Sequence, residues 1–290
     1  MTETSDIAAI MNPPERVQAL RRTLHSAQPT ITALINLYRP YVDGLKNLPR
    51  DGRFLLVGNH TQIGIEAPLI SHFIHRELGR RVRPLAERAI GQAPEPIRDM
   101  LAAYGAVVGS PESARELMQN NESMLVFPGG GRELPKFKNE EYTLRWDGRS
   151  GFARLSVESD YPIVPVGLVG GDDLYESLLT RDSRLGQLSL KLTERLFDRR
   201  DFAPPLMRGI GPTLIPRPHR MYLRFAAPIS TIKPHQIPET VWVENVKQQT
   251  QDSLEQILAE LQEVRARDPY RTLNPLAWRK AIFPAEPCES

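Results

Sequence analysis

The sequence has almost no cysteine: the one residue of this type among 290 is Cys288. A single cysteine forms neither an intramolecular disulfide nor a cysteine-based metal site, so we expect a protein of a reducing, intracellular compartment. The sequence also lacks a large excess of positive or negative charge. It has 37 Lys and Arg residues and 35 Asp and Glu residues, for a formal net charge of +2. We therefore expect no nucleic-acid partner.

Long apolar runs are also absent. The stretch 31–42 is interrupted by Asn36, Arg39 and Pro40, well short of the ~20 apolar residues that cross a bilayer. No basic segment precedes an apolar core in the first residues, MTETSD, so no secretory signal is predicted. We expect a cytoplasmic protein that contacts a membrane peripherally. A predicted helical pair at 14–42 either packs on the domain, which we favour, or makes a basic amphipathic membrane contact.

From residue 51 onward, short β-rich segments alternate with helical ones. The β-rich segments lie at 54–58, 81–85, 105–108, 124–127, 163–169 and 222–226, and the helical ones at 67–78, 113–120, 150–159, 185–198 and 241–267. This alternation predicts an α/β fold with a largely parallel central sheet flanked by helices. In such folds the loops that follow the carboxyl ends of the strands form the site.

We assign three regions to one globular unit. Residues 1–50 form an N-terminal helical segment, residues 51–235 form the α/β domain, and residues 236–290 form a long C-terminal helix and a tail that pack on the same domain. No internal repeat or low-complexity break divides the chain.

The first candidate constellation is a histidine and an acid. His60 follows the buried segment 54–58, and Glu66 opens the next predicted helix. Residues six apart on one helix point ~120° away from each other, so the two side chains meet only if the chain turns at Gly64. Glu66 then accepts a hydrogen bond from one ring nitrogen and leaves the other as a base for an alcohol. Taken alone, a loop histidine satisfied by neighbouring backbone is the commoner interpretation.

The second constellation is the loop FPGGGRE at 127–133. Gly129, Gly130 and Gly131 allow backbone N–H groups to approach an anion, and Arg132, followed by Glu133, offers two donors to a phosphate or carboxylate. The loop lacks the Lys-Ser/Thr of a P-loop and the spacing of a dinucleotide site. By itself such a loop is more often a tight turn.

Together these motifs resemble those of the glycerolipid acyltransferase superfamily. An Asn-His pair at 59–60 with an acid after it, the FPGGGRE loop, and the strand PIVPVG at 162–167 occur in this order, most similar to the diacylglycerol acyltransferase and phytyl ester synthase-like branch. Further similar segments are EEYTLRW at 140–146, RSGFARL at 149–155 and GGDD at 170–173. The resemblance covers roughly residues 50 to 230.

The resemblance implies roles for individual residues. His60 corresponds to the catalytic base and Glu66 to its carboxylate partner, while Asn59 and the loop from Gly129 to Glu133 contact substrate. The wider superfamily places an Asp five residues after the His, where this chain has Ile65, but the branch shares the spacing of Glu66. The wider superfamily also has an acid after the loop proline and an arginine after the preceding strand, both associated with a phosphorylated acceptor; this chain has Gly129 and the segment VGS at 108–110.

These correspondences imply an O-acyltransferase. Its donor is acyl-CoA or acyl carrier protein, its acceptor is a lipid hydroxyl, preferably of a neutral lipid alcohol, and no cofactor beyond the co-substrate is expected. Two alternatives stay open: a 1-acylglycerol-3-phosphate acyltransferase, and a non-catalytic lipid-binding protein of the same fold. A serine hydrolase is disfavoured because no G-x-S-x-G motif is present.

Three other sets of residues are better explained by structural roles than by catalysis or binding. His72, His75 and Glu77 are predicted to lie on a solvated helix face, so no metal site is expected. The acidic pair at 172–173 is expected to cap the following segment rather than line the site, and Trp146 is expected in the core.

Overall fold

The computed structural model describes residues 10–197, 205–273, 279, 280 and 282. Its α-helices are α1 Glu15–Leu37, α2 Glu66–Leu78, α3 Glu95–Tyr104, α4 Pro111–Gln119, α5 Gly151–Glu158, α6 Arg184–Phe197 and α7 Glu239–Arg267. Its strands are β1 Tyr41–Asp43, β2 Leu55–Gly58, β3 Val82–Ala86, β4 Val107–Val108, β5 Ser123–Val126, β6 Ile163–Val169, β7 Glu176–Ser177, β8 Met207–Arg208 and β9 Tyr222–Phe225. The predicted α/β fold is confirmed.

The central sheet has seven strands in the order β1-β9-β6-β2-β5-β3-β4. The five strands from β6 to β4 run parallel to one another, whereas β9 is antiparallel to β6 and carries β1 beside it. In the middle of the sheet, Leu55 of β2 pairs with Met124 of β5 and with Ile163 of β6. Because strands β2 and β6 are buried on both faces, their residues form continuous apolar runs without polar alternation.

Helices cover both faces of the sheet. One face packs against α5 and α7, where Trp146 and Phe152 lie edge to face with ring centroids 5.3 Å apart. The other packs against α2 through Ile70, Phe73 and Ile74. Each fully buried aliphatic or aromatic side chain stabilises the fold by roughly 1.5–3 kcal/mol. The predicted core position of Trp146 is confirmed.

The N-terminal region differs from the predicted helical pair. A single helix, α1, contains Pro29 and ends at Leu37, after which β1 joins the sheet with Tyr41 opposite Tyr222. The region 1–50 therefore contributes an edge strand to the sheet as well as a helix. Within the described part of the chain, no helix combines the length and the apolar character needed to cross a bilayer.

Helix α3 lies outside the elements that the sequence pattern predicts. Its apolar residues Ile97, Met100 and Tyr104 have the spacing of one helix face, so the sequence carries a helical pattern here, although the structure leaves these side chains exposed. The helix is held partly by charges, because Arg16 of α1 donates to Asp99 at 2.6 Å. It thereby fixes one end of α1 against the domain.

Candidate active site

The candidate site lies where β2 and β5 end side by side. The two strands are parallel neighbours, so the loops that follow them emerge at the same edge of the sheet. The ring of His60, after β2, stacks on the ring of Phe127, after β5, with centroids 4.5 Å apart and planes inclined by 9°. A side chain at Gly58 would lie 3.1 Å from the Phe127 ring, so glycine there leaves room for this stack.

The turn between His60 and Glu66 brings the two side chains together. Gly64 has a left-handed backbone with φ of 69°, and Nδ1 of His60 is hydrogen bonded to Oε1 of Glu66. The second carboxylate oxygen accepts the hydroxyl of Thr61. Glu66 is 0% exposed, so its carboxylate is held by these two neighbours rather than by solvent.

This contact leaves one imidazole nitrogen for chemistry. An ionised carboxylate only accepts hydrogen bonds, so Nδ1 of His60 carries the proton and Nε2 bears the lone pair. The His60 side chain is 18% exposed, in contrast to the enclosed Glu66. A base reachable from outside and oriented by a buried acid is the equipment needed to deprotonate an alcohol.

Glu133 joins the glycine loop to the histidine. One carboxylate oxygen accepts the backbone N–H of His60 at 2.8 Å and the other accepts the backbone N–H of Arg145 at 2.9 Å. Burial raises the pKa of Glu133, and the two backbone N–H donors oppose that rise. A side chain at Gly129 would overlap the Glu133 carboxylate, so glycine at this position allows the acid to fold back under the loop. Both Glu133 oxygens thus bind the protein itself.

Asn59 also uses its side chain inside the protein. Its amide donates to the carbonyl of Leu168 at 3.0 Å and accepts from the N–H of Leu168 at 2.9 Å. Asn59 is 1% exposed. The residue therefore clamps the end of β2 to the neighbouring strand β6 and sets the starting point of the His60 loop.

The glycine loop is held by Arg149, which sequence analysis did not single out. Its guanidinium donates to the carbonyls of Pro128 and Gly129 at 3.1 and 3.2 Å. Gly130 has φ of 57° in the short turn that follows. Arg132 pairs with the exposed Asp147 at 2.8 Å. The described structure therefore presents Arg132 as an ion-paired group at the edge of the loop.

A buried ion pair supports the same loops from behind. Asp172 accepts Nζ of Lys136 at 2.7 Å, the backbone N–H of Gln62 at 3.1 Å and that of Tyr142 at 3.0 Å. Lys136 and Asp172 are 1% and 0% exposed. The prediction that Asp172 caps the segment after it is wrong, because its partners are distant in sequence.

The burial of His72 also differs from the prediction. The side chain was expected on a solvated face, yet it is only 8% exposed. Helix α2 places this side chain in the lining of a cavity that residues of α1 also line. The pattern of α2 alone does not show this burial, because two strands, β1 and β2, separate α1 from α2 in the chain.

The chain is similar in sequence to known acyltransferase and synthase proteins. A family model described as Acyltransferase matches residues 39–169. Phytyl ester synthase 1, chloroplastic, from Arabidopsis thaliana is 29% identical over 252 residues, covering 80% of this chain and 35% of that protein. Phytyl ester synthase 2, chloroplastic, from the same organism is 31% identical over 251 residues, covering 81% and 36%. The crystal structure of the 1-acyl-sn-glycerophosphate acyltransferase PlsC from Thermotoga maritima is similar with a TM-score of 0.45 and 16% identity, covering 82% of each chain.

The chain belongs to the glycerolipid acyltransferase superfamily and carries its acyltransferase domain. Within that superfamily it is similar to the phytyl ester synthases, as the motifs predicted. The chain spans about a third of the length of these two relatives.

Proposed function

We propose that this chain transfers a fatty acyl group from a thioester, acyl-CoA or acyl carrier protein, to the hydroxyl group of a neutral lipid alcohol. The observation that carries the proposal is the hydrogen bond between His60 and the buried Glu66. A fold that only bound lipid would not need a base oriented by an enclosed acid.

The mechanism we propose is direct transfer. Nε2 of His60 removes the proton of the acceptor hydroxyl as its oxygen bonds to the thioester carbonyl carbon. The backbone N–H groups of Gly129 and Gly131 stabilise the oxyanion that forms, since that of Gly130 already donates to the carbonyl of Phe127. The carbon–sulfur bond then breaks, and the thiolate takes up the proton that the imidazolium of His60 returns. Glu66 stabilises that imidazolium between the two proton transfers.

We choose a neutral acceptor because the cations near the site already have partners within the protein. Arg132 is paired with Asp147, Arg149 binds backbone carbonyls, and Lys136 is buried against Asp172. A phosphomonoester acceptor needs cations that are ready to bind it bidentately. The two relatives named phytyl ester synthases add support for a long-chain alcohol as acceptor.

We also propose that the chain meets its lipid acceptor at a membrane surface through α6. This helix buries Leu190 against Phe137. Leu185, Leu188 and Leu192 form a second stripe that is 60%, 61% and 56% exposed. An exposed apolar stripe on a helix that also carries cations fits the interface of anionic lipids.

Exposed cations lie beside the leucine stripe, and the chain that leads into α6 contacts the loop of His60. Arg184, Lys191 and Arg195 of α6 are exposed. The chain leading into α6 starts beside the His60 loop, because Gln62 donates to Ser177 of β7 at 3.1 Å. The first leucine of the stripe, Leu185, follows Ser177 by eight residues in the chain.

The test offers the purified protein a labelled long-chain acyl-CoA or acyl carrier protein together with phytol, monoacylglycerol, diacylglycerol or lysophosphatidate. Ester product and free thiol are measured together. We expect equal amounts of ester and thiol with a neutral alcohol. Ester with lysophosphatidate alone would replace the neutral acceptor by a phosphorylated one. Thiol with free fatty acid would indicate hydrolysis, and no turnover with either donor would indicate a lipid-binding protein.

A further inference from the structure

A cavity of about 350 Å³ separates α1 from α2 on the face of the domain that α1 covers. Its aliphatic part is formed by Ile31 and Ile35 of α1 together with Ile65 and Leu69 at the start of α2. The opposite end is polar. It contains Arg21 from the first half of α1, His72 and His75 from the second half of α2, and Arg81 just before β3.

The polar end carries more positive than negative charge, because Glu122, which attracts Arg81, is already paired with Arg83. None of the described residues that line the cavity is Asp or Glu. Arg21 donates to the carbonyl of Ala102 at 3.1 Å, and its buried Nε has no hydrogen-bond partner among the described residues. Burial, together with the charges of Arg81 and Arg83, lowers the pKa of Arg21 to about 10. The guanidinium therefore stays charged at neutral pH, in a place that favours an anion.

His72 adds an unpartnered ring nitrogen at the same end. Its Nε2 is buried and has no hydrogen-bond partner among the described residues. The ring lies edge to face against Phe73 with centroids 5.3 Å apart, and it also lines the cavity. Burial, followed by the charges of Arg76 and His75, lowers the pKa of His72. A buried polar atom that has no partner among the described residues is available to a ligand in the cavity.

We propose that this cavity binds a single-chain amphipath with an anionic head group, a carboxylate or a phosphate. The head lies among Arg21, Arg81 and His72, and the alkyl chain lies along Ile31, Ile35 and Leu69. Charge complementarity selects the head, and the aliphatic lining selects the chain.

The head of this ligand does not lie at the candidate active site. Arg81 precedes β3, whereas His60 follows β2, and the two strands run in the same direction on either side of β5. The head group and the base are therefore at opposite edges of the sheet, separated by at least the length of β2, roughly 13 Å along the strand direction. The proposed head group is thus separate from the reacting atoms at His60, and its binding can be measured without acyl transfer.

Binding to this cavity can be measured without any turnover. Isothermal titration calorimetry would compare decanoate, decyl phosphate and decanol, which share one chain and differ in the head. We expect the two anions to bind and decanol to bind at least about tenfold more weakly, because charged hydrogen bonds hold the head. Binding of decanoate alone would identify a fatty acid, binding of decyl phosphate alone a phosphorylated lipid, and either result supports the anionic site.

Matched variants locate the site. Arg21→Gln with Arg81→Gln should weaken anion binding about tenfold or more. The control, Arg22→Gln with Arg80→Gln, removes neighbouring exposed cations and should leave binding unchanged. Arg21→Lys with Arg81→Lys should retain binding and shows that the cavity still folds without the arginines. His60→Ala should also retain binding, because that residue belongs to the other edge of the sheet.

Four results would overturn the proposal. They are no binding of either anion, equal binding of decanol, anion binding that survives Arg21→Gln with Arg81→Gln, and anion binding that disappears in His60→Ala. The last would place the anion in the catalytic site. The transferase proposal is tested separately by ester formation, so one can fail without the other.

Discussion

The carboxylate of Glu133 accepts a hydrogen bond from the backbone N–H of His60, with an oxygen to nitrogen distance of 2.8 Å across 73 residues of sequence. This contact connects the glycine loop to the loop of His60, two motifs that are separate in the sequence. The glycine loop therefore sets the position of the histidine backbone, while Glu66 sets the orientation of its ring. Glu133 is a positioning residue in this arrangement.

The raised pKa of Glu133 leads us to expect that the stability of the protein depends on pH. Burial raises its pKa in the folded protein above the ordinary value of 4.5. The folded state therefore keeps the proton longer than the unfolded state, and this residue's contribution to stability falls as pH rises through the interval between the two pKa values. Glu133→Gln does not titrate. Its free energy of unfolding relative to wild type should therefore improve as pH rises, by about 1.4 kcal/mol per unit of pKa difference.

Urea unfolding at pH 4, 6 and 8 measures this difference. Glu116→Gln, at an acid on α4 outside the site, serves as the control for general charge effects. A stability difference between Glu133→Gln and wild type that stays constant across this range contradicts the raised pKa.

Alanine substitutions at two glycines with similar left-handed backbones should affect stability alike but activity differently. Gly64 and Gly79 have φ of 69° and 64°, and a side chain at Gly79 meets nothing within 4 Å. Alanine at either position should cost about 1–2 kcal/mol of stability, since a left-handed backbone is unfavourable for it. Only Gly64→Ala should also lower kcat, because the turn at Gly64 brings His60 to Glu66. Equal kcat in the two variants, each measured well below its unfolding temperature, would refute this role of the turn.

The buried pair of Lys136 and Asp172 should be costly to break. Lys136→Met leaves the Asp172 carboxylate buried with only backbone donors, which should lower the free energy of unfolding by about 3–5 kcal/mol. Lys138→Met removes an exposed lysine two positions along and should change stability by less than about 0.5 kcal/mol. Urea unfolding compares them, and similar stability of the two variants would mean that the ion pair does not support the loops.

The leucine stripe of α6 predicts binding to anionic vesicles. Leu185→Ser, Leu188→Ser and Leu192→Ser combined should reduce co-sedimentation with phosphatidylcholine and phosphatidylglycerol vesicles by about tenfold or more, because each leucine loses apolar burial in the interface. Leu34→Ser with Leu37→Ser changes exposed leucines on α1 and serves as the matched control. Loss of binding in the α1 variant alone would move the membrane contact to the N-terminal helix.

The parts of the fold that the sequence predicts are those with strong local patterns. The apolar runs of β2 and β6 and the long period of α7 have no competing interpretation, and the order of motifs places His60 after β2 and Glu66 at the start of the next helix. Strand β1 escapes prediction because it is three residues long at the sheet edge, whereas helix α3 has helical spacing at Ile97, Met100 and Tyr104 that the prediction did not use.

The supporting contacts of the site are harder to predict. Lys136, Asp172 and Gln62 meet only because three separate loops converge, and no local pattern marks such partners. Thr61 is different, since a hydroxyl beside a candidate base is a local signal for a hydrogen bond to its acid. Asn59 and Glu133 carried a signal of importance, but the sequence did not show that their side chains point into the protein.

The most direct test of the account is the rate of ester formation by His60→Ala, using the acceptor that yields most ester with wild type. His235→Ala, at an exposed histidine in a distant loop, is the matched control. We predict that His60→Ala lowers kcat about 10²- to 10⁴-fold, the usual contribution of a general base, while His235→Ala keeps the wild-type rate. Ester formation by a folded His60→Ala protein at the wild-type rate would contradict the assignment of His60 as the base.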